Sequence, residues 1–432
     1  MNNKNQKVSL IGVGIWLIAA SFFLYEFFLR TFVGSIAHQV IPSLHLSIEE
    51  FTMVGSAYYI AYGVMQIPVG ILADKFGVKG IMVFAALLCA IATYLFSMST
   101  GFYTAIASRF LMGLGSSFAF LCLLIIVSNW FPEKFFGFFA GLSQFIGTMG
   151  PALAGGPLIA FLVETHTGWR HTMQYIGDVG ILIAFLALFF VRSGPSAKKE
   201  ENRMIFLSKT EPLWPRIKNL LKTKQAWVIA CYSATVYISI SLMAAIWGTE
   251  YLETRGLSQY SAASMVSIAW IAYAVGCPLF GILSDLTKRR KPWMILCGLL
   301  GLVSTFLIVN VGFKSEFSYA VLFFMFGLAA TGQNLGFATI LEQTERNVKG
   351  AALGLNNGLM ILSAAILPLI VSKFISHASH GQTNHLSSHD FFIGLSFMPV
   401  LYFISLLITI FFLKETFCSA QKGVVMLNPN KS

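Results

Sequence analysis

Apolar residues run through this chain in long unbroken blocks separated by short polar segments. The blocks lie at 10–33, 51–73, 78–98, 102–128, 134–163, 169–192, 226–252, 261–285, 292–312, 316–343, 349–374 and 390–414. A helix needs about 20 apolar residues to cross a bilayer, whereas a barrel strand needs about ten with alternating character. The pattern therefore predicts an all-α membrane protein with twelve transmembrane helices.

A repeat halves the chain. Gly70-Ile-Leu-Ala-Asp74-Lys-Phe-Gly77-Val-Lys79 follows the second block, and Gly281-Ile-Leu-Ser-Asp285-Leu-Thr-Lys-Arg289-Arg290 follows the eighth. The copies are 211 residues apart in a chain of 432. Gly137-x-x-x-Gly141 opens the fifth block and Gly350-x-x-x-Gly354 the eleventh, a spacing that lets helix backbones approach in lipid. Between the halves, 193–225 is polar and basic with Pro195, Pro212 and Pro215. The predicted organisation is a six-helix bundle over 1–192, a cytoplasmic linker over 193–225 and a second bundle with a cytoplasmic tail over 226–432. Two pseudosymmetric bundles of this kind are the plan of a transporter. Within the linker, Trp214 to Leu221 suits a short helix at the membrane surface.

Composition agrees. Hydrophobic residues make up 56% and charged residues 11%, with mean hydropathy +0.74, and a soluble domain carries roughly twice that charge. The net charge of +11 would suit a nucleic-acid binder, but its placement argues otherwise. With the N-terminus in the cytoplasm, the basic residues gather in cytoplasmic segments, and only Arg170, Arg255, Lys314 and Lys373 fall opposite. That is the positive-inside pattern, so the excess charge reports topology: an inner-membrane, multi-pass protein with both termini cytoplasmic and no nucleic-acid partner. The N-terminal block is too long for a signal peptide and lacks a small-residue cleavage site. None of the six cysteines falls in an outward loop, so they read as packing residues and not as disulfide or metal ligands. All eight histidines fall on the outward side, without ligand spacing on a defined element.

On these residues the chain resembles the major facilitator superfamily over essentially its whole length. Gly70, Asp74, Gly77 and Lys79 match the signature between the second and third spans, with Lys75 in place of the usual arginine. Arg109-x-x-x-Gly113-x-Gly115 matches the fourth-span motif, which recurs in the tenth as Met325-Phe326-Gly327 without the arginine. The resemblance implies two bundles around a central cavity that rock to give alternating access. It implies that Asp74 shuts the cytoplasmic side against the eleventh span, and that Asp285, Arg289 and Arg290 act on the fifth. Glu342 and Arg346, at the inner end of the tenth span, join that gate. Gly147 to Gly156 is similar to an antiporter motif, but its spacing around Gly150-Pro151 departs by one residue on each side, so antiport is not assigned. Tyr25-Glu26 through Arg30, with Trp247 to Leu252, is similar to bacterial nutrient carriers akin to lysosomal dipeptide transporters.

Glu26 and Arg30 stand one helical turn apart inside the first span. Charges in lipid are costly unless they face a cavity or a partner, which makes both candidate site residues. Arg30 suits a carboxylate held bidentately, and Glu26 suits an amine or a proton. Arg109 is a candidate coupling charge behind the cavity, with packing against carbonyls as the plainer reading. Tyr25, Tyr58, Tyr62, Gln66, Tyr232, Tyr237, Trp270, Tyr273, Gln333 and Asn334 supply polar-tipped rings and amides at membrane depth, the lining a small-solute pocket needs. For any single tyrosine, packing between helices is the simpler alternative.

The expected function is secondary active transport of a small polar organic solute (an amino acid, dipeptide or organic anion), with protons as candidate co-substrate, no cofactor or metal, and a monomer in the lipid bilayer. A drug or siderophore exporter is the alternative within transport, and a membrane sensor or scaffold the one outside it. No Walker, Gly-x-Ser-x-Gly or His-Glu-x-x-His pattern is present, which weighs against ATP-driven and enzymatic readings.

Overall fold

The computed structural model describes residues 9–131, 133–155, 168–192, 194, 218, 220–344, 349–380 and 386–418, and among these the secondary structure is helical. Ten helices in them are long and apolar enough to cross a membrane. The two other predicted spans are also helical: the first half of Ile48–Ser97, and Glu133–Ala154. Apart from Gly194, Lys218 and 220–225, the linker lies outside the described residues, as do the end of the fifth span and Arg346.

The second and third spans form one helical run of 50 residues bent at Gly77. Gly77 has φ 72° and ψ 153°, and a Cβ there would meet open space. The glycine is needed for its backbone angles, which side-chain-bearing residues avoid. On the face opposite the two hinge loops, spans start with local caps written in the sequence. Ser47 and Glu50 form a capping box before the second span, Ser387 and Asp390 another before the twelfth, and the Ser258 hydroxyl accepts from Ser261 N before the eighth.

Pseudosymmetry shows in where helices break and touch. The fourth span is Phe102–Ser116 then Ala119–Trp130; the tenth is Glu316–Ala330 then Gly332–Gln343. A Cβ on Gly113 would lie 2.2 Å from the Tyr58 carbonyl oxygen, and one on Gly327 would lie 2.0 Å from that of Ala269. Span four thus rests on span two as span ten rests on span eight, backbone against backbone. Large apolar side chains such as Leu182, Phe185 and Phe189 on the sixth span point outward, as a lipid-facing surface requires.

The bundles meet closely on the face opposite the hinges. The seventh span (Lys224–Thr254) widens to a π turn at Leu242–Trp247, where the Ala245 carbonyl lies so close to Gly34 of the first span that a Cβ would come within 2.5 Å. Phe51 packs against Trp247 with ring centroids 5.5 Å apart, and Ser267 of the eighth span donates to the Ala152 carbonyl of the fifth at 2.7 Å. Nearer the hinge face, Asn357 of the eleventh span donates to Gln66 Oε1 of the second at 3.2 Å.

Candidate functional site

One turn of the first span (Leu10–Ser35) carries two opposite charges in the membrane interior. Arg30 and Glu26 form a fully buried ion pair. The i,i+4 spacing puts them on one helix face, and the surroundings supply what lipid cannot. Tyr58 donates to both the Glu26 carboxylate and its carbonyl oxygen, each at 3.0 Å. The Arg30 guanidinium lies over the rings of Phe27 at 4.2 Å and Tyr62 at 4.6 Å, so its faces as well as its edges are engaged. Glu26 Oε2 and Arg30 Nε have no hydrogen-bond partner among the described residues. Removing one member of such a buried pair strands the other, at a cost of roughly 3–5 kcal/mol.

Arg109 has a different part. It donates to the main-chain carbonyls of Leu29 at 2.5 Å and Arg30 at 3.3 Å, with its guanidinium over Tyr58 at 4.8 Å and Phe32 at 5.2 Å. Among the described contacts no carboxylate meets it. It fixes the backbone of the very turn that carries Glu26 and Arg30.

Arg30 also reaches across to the other bundle, donating to the Tyr237 hydroxyl at 3.2 Å. Tyr237 lies near Tyr62 on one side and Tyr273 on the other. There a neutral cluster begins. Gln333 and Asn334 both donate to the Tyr273 hydroxyl, Asn334 at 3.3 Å and Gln333 by a closer bond, and Asn334 also reaches Cys277 Sγ at 2.5 Å. Trp270 packs edge-on to Tyr273 and donates its indole N–H to the Ala244 carbonyl at 2.9 Å. Beside this cluster is a cavity of about 190 Å³ between the fifth, eighth and tenth spans, lined by Gln144, Phe145, Thr148, Ala274, Cys277, Pro278 and Asn334.

The match to known proteins agrees with this architecture. The family model described as Major Facilitator Superfamily matches residues 11–368. The chain belongs to that superfamily. It is 26% identical over 386 residues to a probable galactarate/D-glucarate transporter, GudP, of Escherichia coli, covering 79% of this chain and 83% of that protein. It is 24% identical over 278 residues to a probable sulfoacetate transporter, SauU, of Cupriavidus necator, covering 60% of this chain and 62% of that one. A hexuronate transporter of Bacillus subtilis is 25% identical over 249 residues, covering 57% and 58%. Among solved structures, a D-xylose-proton symporter superposes with TM-score 0.74 at 14% identity over 95% of this chain and 99% of that one. A bacterial homologue of the lysosomal transporter Spinster, inward-facing and unoccupied, gives 0.73 at 14% over 93% and 97%. These relatives are transporters, and the chain is a multi-pass membrane transporter of this superfamily, not an enzyme.

Seen as a facilitator, the molecule keeps two predicted lining residues away from the centre. Tyr25 turns its hydroxyl to Thr93 Oγ1 of the third span at 3.5 Å. Tyr232 donates to the Met294 carbonyl of the ninth at 3.2 Å. Each is a strut within its own bundle, and helix-face arithmetic alone could not separate struts from lining. Gln66 belongs with Asn357 at the contact between bundles near the hinge face.

At the hinge loops, the side chain of Asp74 lies outside the described residues, and Lys79 and Arg289 are exposed. Asp285 pairs with Arg290 of its own loop at 2.7 Å, where the family likeness implied action on the fifth span. Arg290 also bonds Glu342 at 2.8 Å. Burial alone would lower the Arg290 pKa, but Glu342 and Asp285 more than offset it and hold the guanidinium charged. Gly281, the counterpart of Gly70, has open space at its Cβ position.

Sequence reasoning missed the segment after the twelfth span. Glu415 accepts from the main-chain N–H groups of Arg290 at 2.8 Å and Lys291 at 3.1 Å, capping the ninth span. Lys291 Nζ caps the end of the twelfth through the carbonyls of Ile410 and Leu413, and Thr416 donates to Glu342 at 2.5 Å. A lone acid just beyond a span is a weak signal in sequence because its partners are main-chain groups far along the chain. Phe27, Thr148 and Cys277 were missed for a similar reason: each reads as ordinary membrane apolar or small-residue filler.

Proposed function

We propose that the protein carries a small organic anion across the membrane by alternating access, with Arg30 holding the cargo's carboxylate and Glu26 carrying a proton. The observation that supports this most is the buried Glu26–Arg30 pair whose arginine also bridges to Tyr237 of the other bundle. A carboxylate arriving at Arg30 competes with Glu26. If the anion wins, Glu26 is left buried beside a second negative charge, and protonation is the least costly way to relieve that. One proton then travels with each anion. The names of the relatives point the same way, since sulfoacetate, galactarate, D-glucarate and hexuronate are all organic acids. The positive-inside pattern puts the hinge face in the cytoplasm. Opening outward would then require breaking the contacts at Gly34, Ser267 and the Arg30–Tyr237 bond.

The test is uptake of labelled hexuronate into proteoliposomes under an imposed pH gradient. Acid outside is expected to drive accumulation, Arg30→Gln to abolish uptake, and Glu26→Gln to keep anion exchange while losing the response to the gradient. Transport of neutral sugars that survives Arg30→Gln would overturn the reading.

A further inference from the structure

The two bundles share a backbone plan but not a charge plan. In the first, Glu26, Arg30 and Arg109 are buried in the membrane interior. In the second, the sequence has no Asp, Glu, Lys, Arg or His at 226–249, 259–284, 292–310, 317–341, 350–372 or 391–413. The seventh span has Glu250 and Glu253 in its last turns, but within these limits the bundle holds no cation, and the polar cluster is built from amides and hydroxyls alone. Tyr273, Gln333 and Asn334 form that cluster, and Gln333 Oε1 is buried without a hydrogen-bond partner among the described residues. Arg109 does not supply a second cation to the cargo, since its donors go to main-chain carbonyls behind the first span and aromatic rings cover it.

We infer that the cargo carries a single carboxylate, and that its far end is neutral and hydrogen-bonding. This rests on the reading of Arg30 as the carboxylate's partner. A solute anchored at Arg30 and extending past Tyr237 would turn its other end towards Tyr273, Gln333 and Asn334. Hydroxyl groups find both donors and acceptors there: amide N–H groups, the unpaired Gln333 oxygen and the tyrosine hydroxyl. A second carboxylate would be desolvated with no cation to meet it, a penalty that amide donors only partly offset. Recognition of hydroxyls by buried amides also rejects the analogue lacking them, because those amides would be left unpaired. The cargo class is thus a hydroxylated monocarboxylate, such as a uronate or aldonate. That separates this chain from its relatives named for galactarate and D-glucarate, which are dicarboxylates.

The deciding experiment is competition for uptake in proteoliposomes of the full chain, using pairs of four to six carbons that differ only in the terminal group. Gluconate and glucuronate are set against glucarate, and the corresponding four- and five-carbon hydroxy acids against their diacids, with glucose as the neutral control. The monocarboxylate of a pair is expected to be taken up in preference by at least about tenfold, as a pocket with buried unpaired groups discriminates. Equal or better uptake of the diacids overturns the single-charge inference and leaves the carboxylate reading standing. Uptake of glucose alone, or of none of the acids, overturns the carboxylate reading and this inference with it. Asn334→Arg sharpens the result by adding the missing cation, and it is expected to shift preference towards the diacid. Because a buried arginine can itself unfold the protein, the wild-type ratio decides, and the variant is read only where its melting profile remains cooperative.

Discussion

Counting 211 residues on from the first bundle reaches matching positions in the second, and the comparison separates what the halves share from what they do not. Gly70 maps to Gly281, and the stacked ring of Tyr62 maps to Tyr273. Glu26 maps to Tyr237 and Arg30 to Ser241. In the fourth span the Gly113–Gly327 offset carries Arg109 onto Phe323, which is fully buried. Elements that hold helices together are therefore retained in both halves, while the buried Glu26–Arg30 pair and Arg109 belong to the first alone. A duplicated scaffold allows this division. Packing positions are constrained by the neighbouring backbone, whereas the charges are constrained only by what sits between the bundles. On the proposed function, one half is an ionic socket and the other a hydrogen-bonding wall.

The sharpest way to break that comparison is to erase the socket stepwise. Glu26→Gln strands Arg30, and Arg30→Gln strands Glu26, so each alone is expected to destabilise the protein by roughly 3–5 kcal/mol. The double variant turns the pair into two amides like those of the second bundle. It is expected to recover most of that stability in a detergent melting series while remaining inactive in uptake. Full additivity of the two losses would mean that the pair is not a unit, and the ionic-socket account would fail.

Next in size is a test of the shared scaffold. Gly113→Ala and Gly327→Ala each force a methyl against a carbonyl oxygen of the neighbouring span, at 2.2 and 2.0 Å before relaxation. Both are expected to cost about 3 kcal/mol, since overpacking against backbone has no flexible neighbour to yield. Near-equal losses of melting temperature support matched crossings in the two halves. A large loss at Gly113 with none at Gly327 would show that the second crossing is not the counterpart of the first.

These contrasts also mark what was legible from sequence. Twelve spans and the paired hinges were readable because lipid forces apolar blocks of fixed length, and because the hinge motif with Gly77 is local in sequence. The Glu26–Arg30 pair was readable because its partners lie one turn apart. The roles of Tyr25 and Tyr232 were not, since both lie on spans that offer several faces and only the packed bundle decides which face looks inward. Glu415 was hidden for another reason: it caps a helix more than a hundred residues away, through main-chain groups that any sequence possesses. Local pairs and periodic blocks declare themselves, whereas struts and long-range caps depend on the closed topology.

A smaller effect is expected at the hinge face, where the second bundle has a clamp described at side-chain level. Glu415→Gln removes the carboxylate that caps the ninth span, while leaving Arg290 its bonds to Asp285 and Glu342. The expected loss is about 1 kcal/mol, typical of a helix cap. Uptake at saturating cargo is expected to change less than melting temperature does, because the clamp lies within one bundle and does not cross between them. A transport defect without a stability defect would instead assign Glu415 to the gate.

The smallest effect concerns the far face, where His38 joins the two bundles. Its Nδ1 lies 3.3 Å from the Gln259 amide nitrogen at the start of the eighth span. Burial lowers the His38 pKa, so the neutral ring is favoured while the bundles are closed there. The sign follows from that. A histidine with a depressed native pKa contributes its contact above the ordinary value of about 6.5, and the contribution is lost as pH falls through that value and then the lower native one. Protonation also turns Nδ1 into a donor facing another donor. Acid on that face is therefore expected to weaken closure by less than about 1 kcal/mol, the worth of one hydrogen bond. Cysteine-accessibility rates at a position beside Gly34 should rise slightly between pH 7 and pH 5 in the native sequence and stay flat in His38→Gln, whose amide does not titrate. An equal acid response in both would remove His38 from the closure and leave the contacts around Gly34 and Ser267 to hold it.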